Sequence, residues 1–184
     1  MLRSTVAALV CVAVAPLVAC SDDESSSSLP SSSPSPLLLT DNPRAGLAAL
    51  FAGDHPEPED RRQARCFADQ LTERVAGTAL RDAGILTDDG SVVTTLPVLD
   101  EATAEAWVDA QLACVDYVEA SARAFVAQSK GALDVGAFTT CLRSALSGAE
   151  ISGALVQTLS GGFDSPEVRL LSTTQADCAG SATP

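Results

Sequence analysis

Beyond residue 42, apolar residues recur every three or four positions, which is the spacing of one face of an α-helix. The clearest pattern predicts a long helix over 100–128, with an inward face formed by Val108, Leu112, Val115, Val118, Ala122, Phe125 and Val126. Similar spacing predicts further helices over residues 42–53, 59–83, 134–146, 147–160 and 165–178. The chain is therefore expected to form an all-α domain of about five to seven helices over residues 42–184.

Residues that favour helix ends support these boundaries. Asp100 is a good N-cap, and Ser147 with Glu150 three residues later has the pattern of a capping box. Ser165 precedes Pro166, a residue favoured at the first helical position. Between the helices, residues 84–99 lose the helical period, and Asp88-Asp89-Gly90 is typical of a turn. A small irregular or β insertion is expected there.

The first 19 residues have the layout of a secretory signal, with Arg3 followed by an apolar run. At Leu17-Val18-Ala19-Cys20 the sequence resembles the lipobox of bacterial lipoproteins, in which a peptidase cuts before the cysteine and the thiol carries a diacylglycerol. This resemblance implies a signal peptide over 1–19, a lipid on Cys20, and residence on the extracytoplasmic face of the bacterial cell membrane. The alternatives are plain secretion and a retained membrane span, and the chain is exported in all three.

Residues 20–41 are rich in serine and proline and have too little apolar surface to form a core. They are expected to act as a disordered tether between the lipid and the domain. The formal net charge of the whole chain is −13. An acidic surface repels nucleic-acid phosphates and anionic lipid headgroups, so we expect no nucleic-acid partner and a membrane contact made only through the lipid.

Four cysteines remain after the signal and Cys20 are set aside. An even number in an exported chain predicts disulfides, and these four allow three pairings. They are too widely spaced for a typical zinc site, and the only histidine that could serve a nucleophilic cysteine is His55. The four are Cys66, Cys114, Cys141 and Cys178.

A repeated pattern around these cysteines favours one pairing. Leucines follow Cys66 and Cys141 at the same offset, and Gln111 and Gln175 stand three residues before Cys114 and Cys178. If the pattern reflects a duplication, the units would span about 59–128 and 134–178. The two disulfides would then be Cys66–Cys114 and Cys141–Cys178. Chance agreement is the alternative, since alanine and leucine are common in this chain.

Beyond the lipobox, the sequence resembles the small, uncharacterised, alanine-rich lipoproteins of actinobacterial type. This resemblance implies a location on the cell envelope and a helical fold with paired cysteines. It contains no nucleophile elbow, zinc-protease motif or phosphate loop, and His55 is expected to lie in a solvated loop rather than a metal site. We therefore expect neither cofactor nor metal nor catalysis; a carboxylate-based hydrolase is the weakest alternative.

Two non-catalytic functions are compatible with the sequence. The first and favoured one is an interaction module that binds another envelope protein, which an exposed apolar patch would support. The second is a carrier of a lipid or other hydrophobic ligand, which an enclosed apolar pocket would support. The candidate lining of such a pocket is Trp107, Tyr117, Phe125 and Phe138.

Overall fold

The computed structural model describes residues 43–183. This part of the chain folds into eight α-helices and has no strand, so the predicted all-α class is confirmed. The helices are α1 (Pro43–Ala52), α2 (Pro58–Arg74), α3 (Gly77–Asp82), α4 (Glu101–Cys114), α5 (Tyr117–Gln128), α6 (Val135–Ala145), α7 (Gly148–Leu159) and α8 (Pro166–Ser181).

Two of the predicted helices are each two helices in the structure. The predicted helix over 59–83 breaks at Val75, and the long one over 100–128 breaks at Val115; both valines adopt extended backbone angles. After the second break, the Asp116 side chain accepts hydrogen bonds from the backbone N–H groups of Val118 and Glu119 and so caps α5. The apolar stripe continues through this break because Val115 is itself buried, so periodicity alone did not reveal it.

The predicted caps of the other helices are confirmed. The Asp100 side chain accepts from the Thr103 backbone N–H at the start of α4. Ser147 and Glu150 form the reciprocal bonds of a capping box at the start of α7. Ser165 caps α8, with Pro166 in its first turn. These bonds satisfy N–H groups that have no partner within a helix.

The insertion between α3 and α4 is mostly irregular. It has a turn at residues 87–90 and a single antiparallel bridge between Leu86 and Val92. Its apolar side chains Ile85, Leu86 and Leu99 are buried against the neighbouring helices. The insertion therefore covers a hydrophobic cluster, although it forms almost no regular secondary structure.

The core consists of two hydrophobic clusters. The first lies among α1 to α4 and the insertion, with Phe67, Leu71 and Trp107 among its members. The second lies among α5 to α8 and includes Phe138 and Leu142. Helix α7 joins the clusters, since Leu155 packs against both.

The two halves of the described chain have the same order of helices and disulfides. Cys66 of α2 bonds to Cys114 of α4, and Cys141 of α6 bonds to Cys178 of α8, so the predicted pairing is confirmed. In each half, the first helix also contributes a phenylalanine that packs against a phenylalanine of the second; the pairs are Phe51–Phe67 and Phe125–Phe138. Helix α5, included in the predicted unit 59–128, packs on α6 instead.

Candidate functional site

Of the four aromatic residues predicted to line a ligand pocket, Trp107 lies in the first hydrophobic cluster and the other three lie at the second. Trp107 is 4% exposed in the first cluster, with its ring centroid 4.6 Å from that of Phe67. Phe125 and Phe138 belong to the second cluster, where their ring centroids are 5.2 Å apart. These rings fill the two cores that hold the helices together.

Tyr117 also lies beside the second cluster, and it adds a polar contact there. Its hydroxyl oxygen accepts a hydrogen bond from Nε2 of Gln175 at 3.0 Å, and the same amide reaches Oγ of Ser121 at 3.2 Å. Burial raises the pKa of the Tyr117 phenol above its ordinary value. These bonds join α5 to α8 and identify no substrate.

The remaining predicted chemistry lies at the surface or outside the described residues. His55 is exposed in the loop between α1 and α2. Within residues 43–183, no group of three histidine, cysteine, aspartate or glutamate side chains is placed to hold a metal ion. Cys20 and the lipobox precede the described part of the chain. No helix in that part is both long enough and apolar enough to cross a membrane.

Two exposed apolar side chains lie in chain segments that meet at the end of α7. Val98 is 69% exposed and Phe163 is 62% exposed. Val98 packs over Gly161: a Cβ atom on that glycine would lie 3.3 Å from Cγ1 of Val98. Phe163 is two residues further along the chain. We call Val98 and Phe163 the apolar patch.

The backbone around the apolar patch is held by hydrogen bonds. The N–H of Leu99 donates to the carbonyl oxygen of Leu159 at 2.9 Å, which ties the insertion to the end of α7. The N–H of Gly162 donates to the carbonyl oxygen of Gln157 at 2.7 Å, and the N–H of Ser165 donates to that of Gly162 at 2.9 Å. The patch therefore has fixed attachments on both sides, which reduces the ordering cost of binding.

A groove with acidic walls begins beside the apolar patch and has a volume of about 420 Å³. Small residues of α7 contribute to its lining, namely Ala149, Ser152 and Gly153. The carboxylates along it come from α4 and from the first turn of α8; they are Glu101, Glu105, Asp109 and Glu167. We call this feature the acidic groove.

The groove carboxylates are not neutralised by neighbouring cations. All four are exposed, and none takes part in an ion pair within the described residues. No lysine or arginine occurs between Arg81 and Arg123, the stretch that contains α4. By contrast, Arg143 pairs with Asp116 at 3.0 Å and Glu119 at 2.7 Å on another surface. The groove therefore has a local excess of negative charge.

The sequence pattern did not identify the apolar patch. Val98 follows a proline in the insertion and Phe163 follows two glycines, so neither belongs to a helical stripe. An apolar residue in a loop can be buried or exposed, and only the tertiary fold decides which. The acids of α4 were visible in the sequence at helical spacing, but acids are frequent throughout this chain.

Comparison with known proteins adds no function. No protein-family model matches the chain, and neither a curated protein nor a solved structure matches it. The function must therefore be argued from the residues themselves.

Proposed function

We propose that this protein is a non-catalytic interaction module that binds another protein of the bacterial cell envelope through the apolar patch. In this proposal the lipid on Cys20 holds the domain on the extracytoplasmic face of the membrane. The observation that carries the proposal is the exposure of Val98 and Phe163, two apolar residues in hydrogen-bonded segments that meet at the end of α7.

An exposed phenylalanine on a fixed turn is a favourable anchor for a partner. Aromatic residues are enriched among the few side chains that provide most of the affinity at protein interfaces. Burying one phenylalanine side chain contributes about 1.5–3 kcal/mol. Val98 extends the apolar area without requiring the backbone to rearrange.

The packing of the large aromatic residues favours this proposal over a ligand carrier. A carrier requires an enclosed apolar space, whereas Phe67 and Phe138 are fully buried and Trp107 nearly so. Because neighbouring side chains already contact these rings, a hydrophobic ligand could occupy the predicted lining only by displacing them.

Site-specific cross-linking in intact cells tests the proposal. A photoreactive phenylalanine analogue at position 163 should give a cross-linked adduct with an envelope protein, whereas the same analogue at Ala127, an exposed position on α5, should not. Val98→Asp should reduce the adduct, because a charge would have to be desolvated at the contact. Equal adducts at positions 163 and 127, or none at 163, would reject the patch as a binding surface.

The lipid anchor has its own test. Cys20→Ala should abolish incorporation of a labelled fatty acid into the protein, because no thiol remains at that position to carry the diacyl chains. Cys11→Ala is the control, since that cysteine is removed with the signal peptide. Unchanged fatty-acid labelling of the Cys20 variant would contradict lipidation at that residue without affecting the argument about the patch.

A further inference from the structure

The apolar patch and the acidic groove meet at the end of α7. Gln157 lines the groove, and its carbonyl oxygen accepts the N–H of Gly162, the residue before Phe163. On the other side, Val98 stands three residues before Glu101, the first groove carboxylate. One extended ligand can therefore contact both features.

The charges along the groove have a regular spacing. Glu101, Glu105 and Asp109 occur at intervals of four residues, so they lie along one face of α4. At a rise of about 1.5 Å per residue they cover about 12 Å, the length of a little over two helical turns. Glu167 adds a fourth carboxylate from α8. The small side chains contributed by α7 leave room for a close approach.

Resting on the proposed function, we propose that the partner inserts a basic helical segment into the acidic groove and places an apolar side chain at its end on Phe163 and Val98. Lysines or arginines one turn apart on such a segment would face the carboxylates of α4. Charge complementarity selects this occupant, because the groove repels nucleic-acid phosphates and anionic lipid headgroups. The adjoining apolar patch distinguishes it from a small inorganic cation.

Binding of designed probe peptides to the full lipidated chain in a neutral detergent tests this inference. The main probe is an alanine-based helical peptide with a lysine every four residues and a phenylalanine at each end. One comparison peptide has glutamate in place of lysine, and another has alanine in place of phenylalanine. Fluorescence anisotropy would measure the affinity at low salt and at about 0.5 M salt, where exposed charges are screened.

Two triple variants of the protein distinguish the effect of the groove carboxylates on probe affinity from the effect of the overall net charge. The groove variant combines Glu101→Gln, Glu105→Gln and Asp109→Asn. Its control removes three exposed, unpaired acids from outside the groove and combines Asp54→Asn, Glu73→Gln and Asp88→Asn. Far-UV circular dichroism would verify that both variants keep the helical fold.

We expect the groove variant to bind the main probe about tenfold more weakly and the control variant to change the affinity by less than about twofold. The glutamate peptide should not bind, and the peptide without phenylalanine should bind several-fold more weakly. The Phe163→Ala protein should bind the peptides with and without phenylalanine equally well. Equal losses in the two triple variants, or no advantage of phenylalanine, would overturn the inference.

The cross-linking assay distinguishes this failure from failure of the proposed function. If an adduct at position 163 persists in the groove variant, the basic-segment inference fails and the interaction module stands. If no adduct forms at position 163 when the groove carboxylates are intact, both the basic-segment inference and the interaction module fail. Loss of the adduct in the groove variant, with retention in the control variant, would support both.

Discussion

Removing either disulfide should strongly destabilise the domain, and the size of the effect can be calculated from the loops that they close. The bridges join cysteines 48 and 37 residues apart. On the chain-entropy model, closing loops of these lengths stabilises the folded state by about 4 kcal/mol each. Since domains of this size are typically stable by about 5–15 kcal/mol, each bridge should provide a large share of the total.

The variants C66A/C114A and C141A/C178A should differ in stability because their cysteines differ in burial. The loss from loop-closure entropy is nearly the same for both variants. Cys178 is 1% exposed within the second cluster, whereas Cys66 is exposed. Replacing Cys178 by alanine also removes packed sulfur, which should cost about 1 kcal/mol more. We therefore expect C66A/C114A to lose about 4 kcal/mol and C141A/C178A to lose about 5 kcal/mol.

Urea denaturation followed by far-UV circular dichroism would measure both losses in the chain that retains the other bridge. A loss below about 1 kcal/mol for C66A/C114A would refute the chain-entropy argument, since little else distinguishes that variant from the native protein. A larger loss for C66A/C114A than for C141A/C178A would refute the burial argument. Peptide mapping during mild reduction provides a second test, because the reductant should open the exposed bridge first.

Three further changes test the packing and the charges. Phe67→Ala should lower the free energy of unfolding by about 3–5 kcal/mol, measured by urea denaturation, because its buried ring packs between two other aromatic rings. Gly46→Ala should cost about 1–3 kcal/mol, since the new Cβ would lie 2.6 Å from Cγ2 of Val92, and Val92→Ala in the same chain should recover part of the loss in the same assay. Asp116→Asn should flatten the acid side of a stability profile measured against pH, because the hydrogen bond from the Glu119 backbone N–H, together with Arg143, lowers the folded-state pKa of Asp116. The stability that ionised Asp116 contributes is complete above the ordinary carboxyl pKa of about 4 and is lost as the pH falls through the lowered folded-state pKa. An acid side that is the same in the variant and the native protein would contradict this prediction.

Local signals in the sequence were sufficient for most helices and caps. The Ser147 capping box and the Ser165 cap depend on residues close together in the chain, and both are present in the structure. The breaks at Val75 and Val115 were not predicted, because a valine fits either an extended or a helical backbone and the apolar spacing runs through both positions. The local signal at the second break is Asp116, whose side chain caps α5.

The disulfide pairing was predicted correctly from residues that recur at equal offsets from the cysteines. The same offsets do not place those residues at equivalent positions relative to the helix ends. Helix α2 continues about two turns beyond Cys66, whereas α6 ends about one turn beyond Cys141. The leucines at equal offsets are Leu71 inside α2 and Leu146 at the extended end of α6. What the halves share is the order of helices and the position of the bridges, which does not require identical helix lengths.

The insertion is the feature that makes the two halves structurally different. It supplies Val98, and the N–H of Leu99 ties it to the end of α7, which leads to Phe163. The corresponding connection in the second half, between α7 and α8, is short and supplies the other side of the same patch. Each half thus contributes one residue of the apolar patch. Under the proposed function, this arrangement predicts that each chain binds one partner segment.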